Sequence, residues 1–287
     1  MTTLVECVPN FSEGRNASIV HSIEEAIRSG GGAILDRTSD HDHHRSVITF
    51  AAPAEKIGEA AFRGVRQAVE SIDLRTHSGV HPRIGAADVV PFVPVKGVSL
   101  EDCARIARET GRRIWEELRV PVYLYEAAAL RSECRNLADI RRGRVPEPDI
   151  GNIPVHPSAG AVVVGARKFL IAFNVNLATR DLEAARRIAR AVRESSGGLP
   201  CVKAMGVLLA SRNQAQVSMN LTDFEQTPIH VAFEAVRAEA ARHGVAIAGT
   251  EIIGLVPQKA IEMTAAWYLQ VENFVPGVVL EHRLENW

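Results

Sequence analysis

The sequence predicts an α+β fold, an α/β sandwich of two ferredoxin-like βαββαβ subdomains that cover residues 1–178 and 179–287. Apolar runs and helical patterns follow one another in the order strand, helix, strand, strand, helix, strand, and this order begins again in the second half. Glycine and proline separate the segments, as expected of turns. The chain of 287 residues is also long enough for two domains. A duplicated fold of this kind offers a groove between its halves.

The first half carries strand and helix signals in turn. Its predicted strands are short apolar runs at 4–8, 33–36, 46–51, 88–95 and 120–125. Its predicted helices have apolar residues every three to four positions and end near Ile27, Glu70 and Leu118. The first helix stops at three consecutive glycines, and Ser99 with Asp102 resembles a capping box at the start of the third. The last helix and strand add an αβ unit to the βαββαβ set.

The second half repeats the order after a polar stretch at 131–157 that is rich in arginine and proline. Its predicted strands are 169–177, 202–210, 216–221 and 246–253. Its predicted helices are 181–194, 228–243 and 258–270. The residues from 271 to the end have no readable period, and the boundary between the subdomains is predicted near Ala178.

The composition excludes several classes of protein. A net charge of -1 gives no overall basic field, so we expect neither nucleic acid nor a membrane as a partner. No run approaches the roughly 20 apolar residues of a membrane span, and the first residues lack the features of a signal peptide, which predicts a cytoplasmic protein. The four cysteines are scattered without a Cys-x-x-Cys pair, so we expect reduced thiols.

The segment at 77–92 has the composition of a functional site, because it holds His77, His81, Arg83 and Asp88 between glycines and prolines. The proline after His81 favours an extended backbone, so we expect this imidazole to project from a loop. An imidazole with a pKa of about 6.5 accepts and returns a proton near neutral pH. His81 is therefore the candidate general acid or base, and a surface histidine beside a turn is the alternative.

A second histidine cluster, at 36–45, predicts a solvated turn rather than a metal site. Histidines four residues apart bind zinc well on a helix, but glycine and proline disfavour a helix around His77 and His81. We therefore predict no metal. Arg45 is a candidate for binding a carboxylate, because its guanidinium can donate two parallel hydrogen bonds, and a surface ion pair is the alternative.

Alternation along two strands of the second half places polar side chains on one face. Asn174 and Asn176 share such a face, and so do Ser218 and Asn220. These rows usually form the wet face of an antiparallel sheet, but two rows in one subdomain favour a groove. On the first strand Glu6 shares a face with apolar neighbours, an unusual position for a carboxylate unless that face meets a polar ligand or a cation.

A long loop rich in glycine and proline, at 143–160, precedes the second subdomain. Loops of this length inside compact proteins are usually functional or disordered. Arg167 and Lys168 follow the loop and bring two cations to the mouth of the expected groove. The chain has no Gly-x-Gly-x-x-Gly, so nucleotide binding has no support.

Several segments together resemble the glutamate formiminotransferase domain family: VECVPNFSEG at 5–14, HPRIGAADVVPF at 81–92, VPVYLY at 120–125, GARKFLIAFNVNL at 165–177 and GLVP at 254–257. The resemblance spans nearly the whole chain. It implies facing β-sheets with helices on the outside, a homodimer, and a tetrahydrofolate groove between the subdomains. It also implies transfer of a formimino group from N-formimino-L-glutamate to N5 of tetrahydrofolate, a step of histidine degradation that needs no metal.

Residue by residue, the resemblance implies that the catalytic histidine is His81. It implies that the folate-contacting loop consists of Gly151, Asn152, Ile153, Pro154, Val155, His156, Pro157, Ser158, Ala159 and Gly160. Further candidates for binding the two substrates, formiminoglutamate and folate, are Glu6, Asn10, Arg45, Arg83, Asn174 and Asn176. Glu6 or Asp88 is a candidate for orienting His81 or for meeting the cationic formimino group.

Three departures from the family pattern leave the donor open: Thr38 replaces an aspartate, His44 replaces an asparagine, and the loop before Gly151 is short. One alternative is a folate-dependent formyltransferase that uses 5-formyltetrahydrofolate and glutamate. Others are a metal-dependent amidine or amide hydrolase and an amino-acid sensor without turnover. The cyclodeaminase domain fused to some relatives is expected to be absent, so that another protein processes the product.

Overall fold

A computed structural model describes residues 3–41, 43–78, 83–209 and 212–284. The chain divides into two compact units, Met1–Lys168 and Phe169–Trp287. The predicted boundary near residue 178 lies one strand later. The reason is that the strand Ile171–Leu177 pairs with two strands of the second unit, so the division falls before it.

The first unit contains most of the predicted elements, with ends that differ by a few residues. Its strands are β1 (Leu4–Cys7), β2 (Asn10–Phe11), β3 (Ala33–Asp40), β4 (Arg45–Ala52), β5 (Ala87–Lys96), β6 (Val122–Glu126) and β7 (Val162–Ala166). Its helices are α1 (Ala17–Ser29), α2 (Ala54–Ser71), α3 (Leu100–Leu118) and α4 (Leu137–Arg141). The sequence patterns predicted neither β2, β7 nor α4.

The sheet of the first unit has the strand order of a ferredoxin-like fold with an extension. β1 and β2 follow each other between β4 and β5, antiparallel to both, and β3 pairs with the outer edge of β4. β7 then pairs in parallel with β5, and β6 in parallel with β7. The predicted αβ addition therefore joins the sheet only through β7, and the sheet is mixed.

β7 was not predicted because its sequence lacks the alternation of a half-buried strand. All five residues from Val162 to Ala166 are buried. A parallel strand covered on both faces reads as a continuous apolar run, which periodicity alone does not assign. One face of this part of the sheet packs on α3, and the other packs on residues from the segment that includes α4, among them Cys134, Ile140 and Val145.

Side chains at the helix starts explain two of the boundaries. Asn16 precedes α1, and its Oδ1 accepts the N–H of Ser18 at 3.0 Å. Ser99 and Asp102 form the predicted capping box of α3, in which Oγ of Ser99 accepts the N–H of Asp102 at 3.1 Å and the carboxylate of Asp102 accepts the N–H of Ser99 at 3.0 Å. Each cap satisfies N–H groups that have no partner within the helix.

The second unit repeats the predicted βαββαβ order. Its strands are β8 (Ile171–Leu177), β9 (Val202–Leu209), β10 (Gln214–Leu221) and β11 (Ile247–Ile253). Its helices are α5 (Leu182–Val192), α6 (Ile229–Arg242), α7 (Gln258–Tyr268) and α8 (Leu280–Leu284). The strands pair antiparallel in the order β11, β8, β10, β9. This is the ferredoxin-like order, so the predicted α+β fold of two such units is confirmed.

The core of the second unit lies between its sheet and its helices. Phe173, Val175, Val217 and Met219 point into this core, as the alternation along β8 and β10 predicted. The opposite face carries the amide side chains. Of the helices in the part of the chain that the structure describes, none is both long and apolar enough to cross a membrane.

Candidate active site

One face of the first sheet is polar, and we call it the polar face. Phe50 of β4 is fully buried in the core that contains α1, α2 and α3. Glu6 pairs with Ala51 of β4. Asn10 pairs with Val47 of the same strand, two residues after Arg45. Because alternate residues of a strand lie on opposite faces, these three predicted site residues share the face that points away from the helices.

Glu6 lies close to a cation on the polar face. Burial raises the pKa of its carboxyl group, and the positive charge of Arg167 opposes that rise. Arg167 also hydrogen-bonds to Tyr125, whose phenol pKa burial raises to about 12. A Cβ at Gly165 would lie 2.3 Å from the ring of Tyr125, so only glycine leaves room for this ring. Arg167 was expected at the mouth of a groove, and in the structure its positive charge acts on Glu6.

Two arginines flank the buried carboxylate of Asp88. Its Oδ1 accepts the N–H of Ile84 at 2.8 Å, and its Oδ2 accepts a hydrogen bond from the guanidinium of Arg141. Burial and repulsion from Arg141 lower the pKa of Arg45 to about 10, and the charge of Asp88 opposes this shift. Arg83 also interacts with Asp88, and Asp40 adds a second negative charge near Arg45, so three arginines stand against two carboxylates. This excess of positive charge favours an anionic ligand.

Asn10 presents a buried amide on the same face. Its Nδ2 donates to the carbonyl oxygen of Val8 at 3.0 Å. Its Oδ1 is buried and has no hydrogen-bond partner among the residues that the structure describes. A buried acceptor left in this state destabilises the protein by about 1–3 kcal/mol. A ligand that offers an N–H at this position would therefore gain a favourable contact.

The segment around the candidate catalytic histidine is described only on its two sides, since 79–82, with His81, lie outside the described residues. Nη1 of Arg83 lies 2.7 Å from Nε2 of His77. The ring centroid of His77 lies 4.0 Å from that of His44. Burial and the charge of Arg83 lower the pKa of His77, and burial lowers the pKa of His44, so both imidazoles favour the neutral form.

His44 occupies a turn that only a few residue types tolerate. Its φ is 49°, in the left-handed region where asparagine and histidine are enriched among residues with a side chain. Its Nδ1 accepts the N–H of Gly14 at 3.3 Å and lies 3.5 Å from the carboxylate of Glu13. A histidine therefore suits this backbone conformation and places an imidazole beside His77.

The loop at 151–160 is anchored beside the segment that follows His81. The N–H of Ala86 donates to the carbonyl oxygen of Ala159 at 2.8 Å, and both residues are buried. Earlier in the loop, Ile153 is 59% exposed and Val155 is 43% exposed. The second half of the loop is thus fixed to the first unit, whereas its first half presents apolar side chains to solvent or to a ligand.

Four polar side chains form a hydrogen-bonded network on the sheet of the second unit. Nε2 of Gln216 donates to Oδ1 of Asn176 at 2.8 Å, and Nδ2 of Asn176 donates to the carboxylate of Glu251 at 3.2 Å. Arg212 donates to the same carboxylate. The bonds from Asn176 and Arg212 lower the pKa of Glu251. Asn174 is half-buried on the same face, two residues along the strand.

The candidate residues fall into both units, each of which has its own polar sheet face. The first unit holds Glu6, Asn10, Arg45, Arg83 and the loop at 151–160, and the second holds Asn174 and Asn176. Within 3–41, 43–78, 83–209 and 212–284, no three histidine, cysteine, aspartate or glutamate side chains are close enough to hold a metal ion together.

Models of the two halves of a known domain match the two halves of this chain. The model of the formiminotransferase domain, N-terminal subdomain, matches residues 4–167, and the model of the formiminotransferase domain matches residues 172–284. The chain belongs to the formiminotransferase family. The resemblance inferred from the five short segments is thereby confirmed, and both units belong to the matched region.

Relatives of this formiminotransferase domain fall into two groups. The glutamate formimidoyltransferase of Thermoplasma acidophilum is 47% identical, over 99% of this chain and 98% of that protein. The glutamate formimidoyltransferase of Streptococcus pyogenes is 45% identical, over 96% of each. The formimidoyltransferase-cyclodeaminase of Rattus norvegicus is 43% identical, over 99% of this chain but 56% of that protein. The chain thus matches the first two nearly end to end and the third along about half its length.

Sequence patterns did not single out several polar residues of this formiminotransferase domain. Glu13 lies inside the segment 5–14, which was identified only as a whole, as one of the segments that resemble the family. Glu251 has no clear signal either, since β11 shows no regular alternation of polar and apolar residues around it. Arg141 has none, because its partner Asp88 is 53 residues away in the chain.

Proposed function

We propose that this protein transfers the formimino group of N-formimino-L-glutamate to N5 of tetrahydrofolate, giving 5-formiminotetrahydrofolate and L-glutamate. The family match over residues 4–167 and 172–284 carries the proposal. It is supported by two relatives named glutamate formimidoyltransferase, which this chain matches over 98% and 96% of their lengths. Tetrahydrofolate then serves as a co-substrate in histidine degradation and one-carbon metabolism.

The charges of the first unit suit two anionic substrates. Both formiminoglutamate and the folate tail carry carboxylates, which guanidinium groups bind through paired hydrogen bonds. Arg45 and Arg83 are the proposed partners of these carboxylates, and the excess of positive charge around Asp88 supports that role. Glu6 is proposed to meet the cationic formimino group, because a buried carboxylate gains from a nearby positive charge.

Amide side chains are proposed to recognise the pterin. The pterin edge alternates hydrogen-bond donors and acceptors, and an amide supplies both. Asn174 and Asn176 support this role through their place on the polar side of the second sheet. The exposed apolar side chains of the loop at 151–160 are proposed to pack on the folate rings.

The proposed chemistry is an acyl-type transfer at the amidine carbon. N5 of tetrahydrofolate attacks this carbon and forms a C–N bond, while His81 accepts the proton that N5 loses. The bond between the carbon and the glutamate nitrogen then breaks as His81 returns a proton to that nitrogen. General acid–base help of this kind contributes about 10²–10⁴ to the rate, and the rest comes from holding two substrates together.

Turnover of formiminoglutamate with tetrahydrofolate tests the proposal, with His81→Ala as the variant. We expect wild-type turnover, a loss of about 10²–10⁴-fold in kcat for His81→Ala, and little change in tetrahydrofolate binding by calorimetry. His21→Ala is the matched control, since the His21 side chain is 64% exposed on α1. Near-native turnover by His81→Ala refutes the role of His81, and faster turnover of 5-formyltetrahydrofolate with glutamate refutes the donor.

We also propose that the protein is a cytoplasmic homodimer. The buried thiols of Cys7, Cys103 and Cys134 support a reducing compartment. The dimer is implied by the family resemblance. Light scattering on the purified protein tests it, and a monomeric mass at micromolar concentration contradicts it.

A further inference from the structure

A chain of two hydrogen bonds joins α4 to the backbone that follows His81. The guanidinium of Arg141, the last residue of α4, donates to Oδ2 of Asp88. Oδ1 of the same carboxylate accepts the N–H of Ile84 at 2.8 Å. Ile84 follows His81 by three residues and Arg83 by one, so this carboxylate holds the backbone next to two of the proposed active-site residues.

Burial makes Asp88 dependent on these two partners. Its side chain is 3% exposed, and that of Arg141 is 20% exposed. A carboxylate shielded from water stays ionised only when hydrogen bonds and an opposite charge replace its hydration. Removal of the Arg141 guanidinium therefore leaves Oδ2 of Asp88 without its hydrogen bond from α4, so that the carboxylate can rotate and its bond to Ile84 changes.

The segment held by Asp88 is clamped from its other side by the folate-loop region. The N–H of Ala161 donates to the carbonyl oxygen of Ile84 at 3.0 Å. A Cβ at Gly85 would lie 1.8 Å from the carbonyl oxygen of Ala161, so the two backbones are in direct contact. A shift of the segment on the Asp88 side is therefore transmitted to the residues that end the loop at 151–160.

The helix α4, which carries Arg141, is packed on the sheet through Ile140. Ile140 is 4% exposed and packs in a cluster with Val163 of β7 and Cys134. The next arginine, Arg142, faces solvent instead, with a side chain that is 63% exposed and lies 3.9 Å from Asp139. Adjacent arginines at the end of one short helix thus have different environments, which supplies a matched pair of substitutions.

We propose that Arg141 is a positioning residue of the active site, which acts through Asp88 and Ile84 on the segment that carries His81 and Arg83. Asp88 itself is then a structural link between α4 and this segment, and the formimino group has Glu6 as its carboxylate partner. The kinetic part of this inference rests on the proposed transferase function. Its structural part does not, because the hydrogen bonds belong to the protein without substrate.

Hydrogen exchange tests the structural part without any activity assay. In Arg141→Gln, we expect the amide of Ile84 to exchange at least about tenfold faster than in the wild type, since its acceptor is no longer held. Arg142→Gln should leave this amide unchanged. Arg141→Lys, which keeps one charge but not the planar fork, should fall between the two and covers the case in which Arg141→Gln does not fold. Unchanged exchange at Ile84 in a folded Arg141 variant overturns the proposal.

Steady-state kinetics tests the positioning role. We expect Arg141→Gln to lower kcat by roughly 10–100-fold with less than about a threefold change in the KM for tetrahydrofolate, because misplacement of reacting groups affects the transition state more than binding. Arg141→Lys should recover part of kcat. Equal kcat values for Arg141→Gln and Arg142→Gln refute the positioning role of Arg141 but not the proposed transferase function. An inactive wild type with fast exchange at Ile84 in Arg141→Gln refutes the proposed function but leaves the hydrogen-bond chain in place.

Discussion

Gly160 offers a direct test of the contact between the loop at 151–160 and the segment after His81. Its φ is +70°, and a Cβ built on it would lie 2.2 Å from the carbonyl oxygen of Ile84. Gly143 has nearly the same φ, +68°, but no atom of the residues that the structure describes lies within 4 Å of its Cβ position. The pair Gly160→Ala and Gly143→Ala therefore separates the contact from the backbone conformation.

The magnitudes follow from these two distances. An alanine in the left-handed region costs about 1–2 kcal/mol, and this is the whole expected loss for Gly143→Ala. In Gly160→Ala the backbone of Ile84 must also move by close to 1 Å, which we equate with overpacking at about 1–3 kcal/mol. The move weakens the hydrogen bond from Ala161 to Ile84, worth about 1 kcal/mol. The expected loss for Gly160→Ala is about 3–6 kcal/mol.

Urea denaturation followed by circular dichroism measures the difference. With a slope of about 1–3 kcal/mol per molar urea, a difference of ~2–4 kcal/mol moves the midpoint of the first unit by roughly 1 M or more between the variants. We also expect Gly160→Ala, but not Gly143→Ala, to weaken tetrahydrofolate binding. Equal midpoints for the two variants would show that the close approach of the two backbones does not stabilise the protein.

Two further predictions concern other parts of the chain. Gly206→Ala places a Cβ 2.4 Å from the backbone nitrogen of Arg186 and should destabilise the second unit by about 1–3 kcal/mol. Gly249→Ala, whose Cβ position has no atom of the described part of the chain within 4 Å, should have little effect in the same urea titration. Glu6→Gln should remove a pH dependence of the free energy of unfolding. Burial raises the pKa of Glu6, so the folded state binds the proton of this carboxyl group more tightly than the unfolded state does. The contribution of Glu6 to stability therefore falls as the pH rises through and above the ordinary carboxyl range. Unfolding midpoints of the wild type and Glu6→Gln between about pH 4 and 7 should therefore diverge in favour of the variant, and parallel curves would contradict the raised pKa.

Much of the fold follows from local sequence patterns. The alternation along β8 and β10 predicted both the buried and the polar face of the second sheet, and the register confirms it by pairing Asn174 with Ser218. The capping box of α3 was predicted from Ser99 and Asp102 and is formed. β7 was not predicted, because a strand buried on both faces has no alternation to detect.

Single residues of the candidate site were predicted, but their contacts with one another were not, because the contacting residues lie far apart in the chain. Glu6, Asn10 and Arg45 were singled out one by one, and only the pairing of β1 and β2 with β4 puts them on one face. The metal and nucleotide alternatives depended on spacing, which a sequence shows directly. The partners of Asp88 depend on which segment packs on β5, and a sequence does not show this packing directly.

The sequence by itself determined the family, the α+β class and the βαββαβ order that recurs in both units, because periodicity, caps and turns are local and the matching segments are continuous in the chain. The tertiary structure decided which charges meet. Arg141 reaches Asp88 across 53 residues, and Gln216 reaches Asn176 across 40. Such contacts depend on strand register and on how the segment with α4 packs on the sheet, and neither is recorded in the residues of any one segment.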